Sequence, residues 1–325
     1  KIMYSNSFYN YKSKSSTSTL SSISVFIEFI AKNLHKKRYS DCVDIGGNDS
    51  LLLENLKIKN VNKYLIDPVA HSDSKKIKIF KKLLENINLN IKCNTPDIIL
   101  CRHTLEHVED TKVFLKKLYS ETSNDCIYFF EVPSLDLMLQ KYRFDTIMHQ
   151  HINYFHEDSI RNMLSINNFK LINLYNYHQG PCGGSIMFCF KKDITTTKKF
   201  KFKRNNDRLK KFKSNYIFFL KQMKLMENLI NKSESKIYLF GASLMLSNLL
   251  YFLKINDKKI INLLDDDLNK HNKSYKNVKH RIKHPSKIKV EKNSSFLITS
   301  AESSRKIYNR LQKFVPSKIF NLIIT

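Results

Sequence analysis

Two short runs concentrate the side chains that can move protons. One is Met148-His149-Gln150-His151-Ile152-Asn153-Tyr154, the other Arg102-His103-Thr104-Leu105-Glu106-His107. Taking a proton from a carbon beside a carbonyl needs a base that titrates near neutrality, and histidine is the natural one. His149 and His151 are two apart, so an extended backbone would turn both to one side. A lone loop histidine usually serves structure; a pair beside Gln150, Asn153 and Tyr154 makes chemistry an equally good reading. In the second run, the plain alternative is that Glu106 and His107 cap the helix that follows. A metal set of His149, His151 and His156 lacks a carboxylate or thiol to complete it, so no metal is expected.

A third run could hold a cofactor. The apolar stretch Val43-Asp44-Ile45 leads straight into Gly46-Gly47-Asn48-Asp49, and Asp67 follows twenty-one residues after Gly46, in Tyr-Leu-Ile-Asp-Pro. Small residues after a first strand let a ligand approach the backbone, and a helix start there offers free amide donors. A carboxylate at the end of the next strand can accept both hydroxyls of an adenosine ribose. The turn lacks the full G-x-G-x-x-G pattern, which disfavours a dinucleotide.

The elements that must position these runs alternate. Residues 1–22 read as an irregular arm, and Ile23, Phe26, Ile27, Ile30 and Leu34 form a helical stripe. Strands are expected at 42–45, 63–66, 97–100 and 127–132, with helices from 51 and over about 110–122. Such alternation indicates a parallel sheet with helices on both faces. A helix at 158–166 and two strands at 169–175 and 186–191, joined through Gly180-Pro181-Cys182-Gly183-Gly184-Ser185, suit an antiparallel addition to the sheet edge. Residues 196–234 read as a linker that ends helical. A second α/β pattern follows, with a strand at 236–240 ending at Gly241-Ala242-Ser243, further strands at 259–264 and 296–298, and helices at 244–253 and 303–314. The expected organisation is therefore an arm at 1–22, a doubly wound Rossmann-like domain at 23–195, a helical linker at 196–234 and a smaller Rossmann-like domain at 235–325. Asp265-Asp266-Asp267 with Lys270 stands at a strand end of the second pattern.

The formal charge is +27. The excess is mostly Lys, spread along the chain with abundant Asn and Ile and only 6 Gly, 6 Pro and no Trp. That is the composition of an AT-rich coding sequence, so no specific nucleic-acid partner is expected. Pro181-Cys182 follows the fifth strand rather than the fourth, the wrong place for a nucleic-acid methyltransferase nucleophile. A basic surface would still steer phosphorylated small molecules. None of the six cysteines forms a C-x-x-C pair, and Cys42, Cys101, Cys126 and Cys189 lie in apolar runs, as buried reduced thiols do. No apolar run reaches a membrane span's length, so a cytoplasmic protein is expected.

VDIGGNDSLLL, YLIDP, DIILCRHTLEHVED and IYFFEVPSLD follow one another as in class I S-adenosylmethionine-dependent methyltransferases. With FDTIMHQHINYF at 144–155, GGS at 183–185, YLFGAS at 238–243 and the early YNYKSKSSTS, the chain resembles the sugar C-methyltransferases that act on nucleotide-linked deoxysugars. The resemblance covers roughly residues 8 to 310. It implies S-adenosyl-L-methionine as cofactor, held by Asp44, Gly46, Gly47, Asn48, Asp67, Arg102 and His103. It implies His151 as the base, with His107 and Tyr154 orienting the sugar or stabilising an enolate, and His149 is a further catalytic candidate. It further implies a nucleotide-sugar site that draws on Tyr11, Gln150, Asn153, Gly183, Gly184, Ser185, Gly241 and Ser243. A monomer or weak homodimer is expected.

Three departures bear on the reaction. The family usually opens with a four-cysteine zinc module; its central motif usually reads Tyr-His-Glu-His where this chain has Met148-His149-Gln150-His151; and it has His where Cys182 stands. Methylation of a sugar oxygen or nitrogen, and a nucleotide-sugar-binding homologue without catalysis, stand as alternatives.

Overall fold

A computed structural model describes residues 17–35, 38–72, 74–195, 200, 206–291 and 293–321. Residues 1–16, Tyr11 among them, lie outside the described residues, whereas residues 17–22, expected to be irregular, form the start of a helix. The chain divides into two compact units: Lys1–Leu137 with His149–Arg204, and Met138–Met148 with Asn205–Thr325.

In the first unit, strands β1 (Asp41–Ile45), β2 (Asn62–Ile66), β3 (Ile77–Phe80), β4 (Ile98–Arg102), β5 (Ile127–Pro133), β6 (Phe169–Tyr177) and β7 (Ser185–Lys192) form one sheet in the order β3-β2-β1-β4-β5-β7-β6. The first five are parallel. The two late strands pair antiparallel at the edge. The alternation along each strand explains the layers. Val43, Ile99, Tyr128, Phe130, Phe188 and Phe190 face one side, where helices α4 (Thr111–Glu121) and α6 (Glu157–Ile166) bring Leu115, Leu118, Ile160 and Leu164. Cys42, Leu65, Leu100, Phe129, Met187 and Cys189 face the other, under α1 (Thr17–Asn33) and the short α2 (Leu51–Asn55). The α1 stripe buries Ile23, Phe26, Phe29 and Ile30. The four cysteines in apolar runs are buried free thiols.

In the second unit, β8 (Ile237–Phe240), β9 (Ile260–Leu264), β10 (Ile282–Lys283), β11 (Ser295–Ile298) and β12 (Lys318–Asn321) form a parallel sheet in the order β10-β9-β8-β11-β12. Helices α7 (Asn206–Lys232), α8 (Leu246–Leu253) and α9 (Ser304–Leu311) belong to it. Its core includes Tyr238, Phe240, Leu264, Phe296, Ile307 and Leu311. The segment Met138–Met148 packs here: Phe144 is fully buried against the rings of Phe212, Tyr216 and Phe219. Arg143 beside it is fully buried and pairs with Asp145 and Glu302. The first five strands of each unit thus share one order, with the first strand central. Both sheets are α/β, and the fold class is the doubly wound one expected. Among the described residues, no helix is long and apolar enough to cross a membrane.

Candidate functional site

β1 ends at Asp44-Ile45, and the chain turns through Gly46 at φ 76°. Gly46 donates its amide to Ile66 of β2 (2.8 Å). A Cβ on Gly46 would meet Thr104 Oγ1 at 2.0 Å, so only glycine lets β4's exit lie this close. Asn48, also left-handed at φ 50°, donates its amide to Asp67 Oδ2 (3.2 Å), while Asp67 Oδ1 accepts from Val69 (2.8 Å). Each oxygen of Asp67 accepts one backbone bond, which leaves lone pairs for a ligand. Burial raises the Asp67 carboxyl above its usual range. Asp44 is buried, and neither of its oxygens has a hydrogen-bond partner. Burial, then the Asp67 charge, pushes it up to about 7.

This geometry suits S-adenosylmethionine. An orphaned buried carboxylate calls for a cationic donor such as the ammonium of the cofactor's amino-acid part. Asp67 can take ribose hydroxyls, and the Gly46-Gly47 turn leaves room at the sheet edge; a Cβ on Gly47 would run into Asp44 Oδ2 at 2.3 Å. The helix after the turn, α2, spans only five residues, so the carboxylates and the turn carry the site rather than a helix terminus.

Arg102 and His103 continue from β4 at the same edge. Arg102 is turned elsewhere than the cofactor reading implies: its Nε donates to Glu131 and its Nη2 to Ser22. His103 sits in the left-handed region (φ 48°) with its amide on the Glu131 carbonyl (2.9 Å). Its ring lies between two carboxylates, with Nε2 3.4 Å from Glu131 and Nδ1 3.4 Å from Glu106. Desolvation opposes its charge, yet the two carboxylates prevail and raise it to about 9. Glu131 is fully buried and is held near 2, because Arg102 and His103 outweigh its own desolvation.

Glu106 and His107 do not cap α4; Asp110 does, accepting from the amides of Lys112 and Val113. His107 Nδ1 bonds the Gln150 carbonyl (2.8 Å), its Nε2 lies 4.0 Å from Glu106, and its ring lies 5.0 Å from that of His151. The loop 150–153 is fastened to this segment. Ile152 and Asn153 donate their amides to the Glu106 carbonyl (3.0 and 3.1 Å), and Asn153 Nδ2 donates to Val108 (2.7 Å). The Tyr154 ring lies 6.4 Å from that of His151.

Two expectations are corrected here. His149 and His151 do not share a side: residues 149 and 150 form a turn, so His149 is exposed while His151 is buried. His151 does not titrate near neutrality either; burial lowers it to about 4. His156 serves as the N-cap of α6, accepting from Ser159, and so does not join a metal set with His149. The ligand atoms that do converge, within 4.8 Å of one another, belong to Glu106, His107 and His151.

The structure gives other partners to part of the expected sugar site. Ser185 is fully buried and donates to Glu131 (2.6 Å). Gly183 and Gly184 take φ 91° and 138° in the turn before it, and Asn153 Nδ2 is spent on the Val108 carbonyl. Gly241 (φ 109°) and Ser243 stand at the β8 turn of the second unit. There Ala242 donates its amide to Asp265 Oδ2 (2.7 Å), and Lys270 lies 3.1 Å from the same oxygen. Glu131 is the site residue that sequence reasoning missed. Its signal was a single carboxylate inside the apolar run Ile127–Pro133.

Residues 21–174, just under half of the chain, match the family model described as a methyltransferase domain. No curated protein matches the chain. Among solved structures, the N-methyltransferase NodS of Bradyrhizobium japonicum WM9 is similar at 9% identity and TM-score 0.41, over 54% of this chain and 97% of that one. The 1,6-didemethyltoxoflavin-N1-methyltransferase of Burkholderia thailandensis, solved with S-adenosylhomocysteine, matches at 9% identity and TM-score 0.41, over 55% and 79%.

Proposed function

We propose that this S-adenosylmethionine-dependent methyltransferase places its methyl group on a carbon of a nucleotide-linked keto-deoxysugar. The observation that carries the reading is the acid–base cluster. His151 and His107 lie with Glu106 within 4.8 Å. Thr104, two residues before Glu106, lies against the Gly46 turn.

The cofactor supplies an electrophilic methyl on a good leaving group, so alignment is most of what remains. Asp67 would hold the cofactor's ribose and Asp44 its ammonium. A carbon acceptor also needs its proton removed. His151, lowered to about 4, is unprotonated at neutral pH and has its lone pair available. His107, whose ring is fixed by the Gln150 carbonyl, and Tyr154 orient the keto sugar.

His151→Ala is expected to lower kcat by about 10²–10⁴ with little change in cofactor affinity. It is also expected to abolish exchange of the acceptor proton in heavy water. Near-normal turnover in the variant removes His151 as base, and mass spectrometry of the methylated sugar identifies the atom. One observation favours a second reading, transfer to a sugar oxygen or nitrogen. With His151 near 4, a hydroxyl or amine that sheds its proton after attack asks less of it than a carbon acid does. A wild-type enzyme that methylates oxygen and never catalyses exchange would establish that reading.

A further inference from the structure

We propose that His103 is the positioning residue of this site: its ring, carrying a proton on each nitrogen, bridges the buried carboxylates of Glu131 and Glu106 and holds the Glu106 carboxylate toward His107 and His151. The catalytic purpose given to this bridge rests on the reading of His151 as base.

The geometry is set from both sides. Glu131 holds His103 twice, through its carbonyl to the His103 amide (2.9 Å) and through its carboxylate to the ring (3.4 Å). Glu131 in turn is fixed by Arg102 and by Ser185 (2.6 Å). The left-handed backbone at His103 costs energy in a residue with a Cβ, and such strain persists where surrounding contacts enforce it. That conformation presents the ring to both acids. Both contacts are at ion-pair distance, 3.4 Å, and a neutral imidazole brings no charge to either acid; only the ring protonated on both nitrogens is a cation set between the two buried carboxylates.

Glu131 and Glu106 are buried, at 0% and 1% exposure. Arg102 directs its guanidinium at Glu131 and Ser22. The Glu106 carboxylate has the His103 ring at 3.4 Å as its nearer counter-charge, with His107 Nε2 farther off at 4.0 Å. A buried carboxylate that loses its cation takes up a proton instead. With His103 in place, Glu106 stays ionised.

Glu106 reaches the base by two routes. Its carbonyl receives the amides of Ile152 and Asn153, which hold the His151 loop. Its carboxylate lies within 4.8 Å of the His151 and His107 ring nitrogens. When the acceptor C–H breaks, its electron pair passes to the enolate oxygen and its proton to His151. The imidazolium so formed faces an anion that takes no proton itself, the arrangement that steadies a histidine base elsewhere. Gln150, where the resembled family has Glu, cannot supply that anion.

The test is NMR on the full chain with histidine ring ¹⁵N and glutamate ¹³C carboxyl labels, with no ligand added. In the wild type, the His103 ring is expected to show two protonated nitrogens at about pH 8, and the Glu106 carboxyl to be ionised at pH 7. In His103→Gln the Glu106 carboxyl is expected to be protonated at pH 7. His103→Lys, which restores a cation, is expected to return it to the ionised form and shows that the effect is charge rather than damaged folding. A wild-type His103 with one bare ring nitrogen at pH 7, or a Glu106 that stays ionised in His103→Gln, overturns the proposal. A second arm measures heavy-water exchange of a nucleotide-linked keto-deoxysugar. His103→Gln is expected to slow it about tenfold or more. No exchange by the wild type overturns the reading of His151 as base, and leaves the bridge to be decided by the NMR result.

Discussion

Asp44 and His151 are moved in opposite chemical senses by one cause. Burial penalises charge, so the carboxyl rises to about 7 and the imidazole falls to about 4. Both groups are thereby largely or partly neutral at pH 7, and each waits for a partner. For Asp44 this has a measurable consequence. In the free protein near pH 7 part of the Asp44 population therefore carries a proton. A ligand that brings an ammonium favours the ionised form and expels that proton. Titration calorimetry of S-adenosylhomocysteine in buffers of different ionisation enthalpy is expected to show proton release near pH 7, with affinity rising as pH rises through this range. Asp44→Asn is expected to lose both effects; equal release by the variant would place the titrating group elsewhere.

Among the elements, the turn after β1 sets the tolerance of the cofactor edge. Gly46 combines φ 76° with a Cβ path blocked by Thr104 at 2.0 Å. Gly46→Ala is expected to cost about 1–3 kcal/mol, read as a lower Tm, and to weaken S-adenosylhomocysteine binding. An unchanged Tm would show that the β4 exit yields easily. The strands beside this turn were legible because central parallel strands are apolar on both faces. β3, β10 and β12 were not, since each is a short edge strand with exposed or half-buried positions in a Lys-rich stretch. The site divides in the same way. The Gly turn, Asp67 and the two histidine runs could be read because their residues are close in sequence. The Glu131 network could not, because its partners Arg102, Ser185 and Ser22 are 29, 54 and 109 residues away. The shared side assumed for His149 and His151 failed on one turn, which a period of two cannot anticipate.

For the molecule as a whole, the buried charge network links folding to pH. His103 is raised from 6.5 to about 9, so its contribution to stability is full below 6.5 and is lost as pH rises toward 9. Glu131 is lowered from 4.5 to about 2, so its contribution is full above 4.5 and is lost as pH falls toward 2. Stability from this network is therefore greatest between about pH 4.5 and 6.5. Denaturant titrations are expected to show wild-type unfolding free energy falling between about pH 6.5 and 9, and a flatter profile in His103→Gln. Parallel slopes in the two proteins would assign the alkaline loss to other groups.

The segment Met138–Met148 makes the order of synthesis matter. It leaves the ribosome before α7 and long before Glu302, yet Phe144 is buried by α7 rings and Arg143 pairs with Glu302. A nascent chain that has emerged only as far as residue 204 holds every strand of the first sheet but no cover for Phe144 and no second carboxylate for Arg143. That interval leaves a large aromatic ring and a strong cation without the surroundings they have in the finished fold. A chaperone that binds such sequences would find its site at 138–148, and release would follow once the last third of the chain is made.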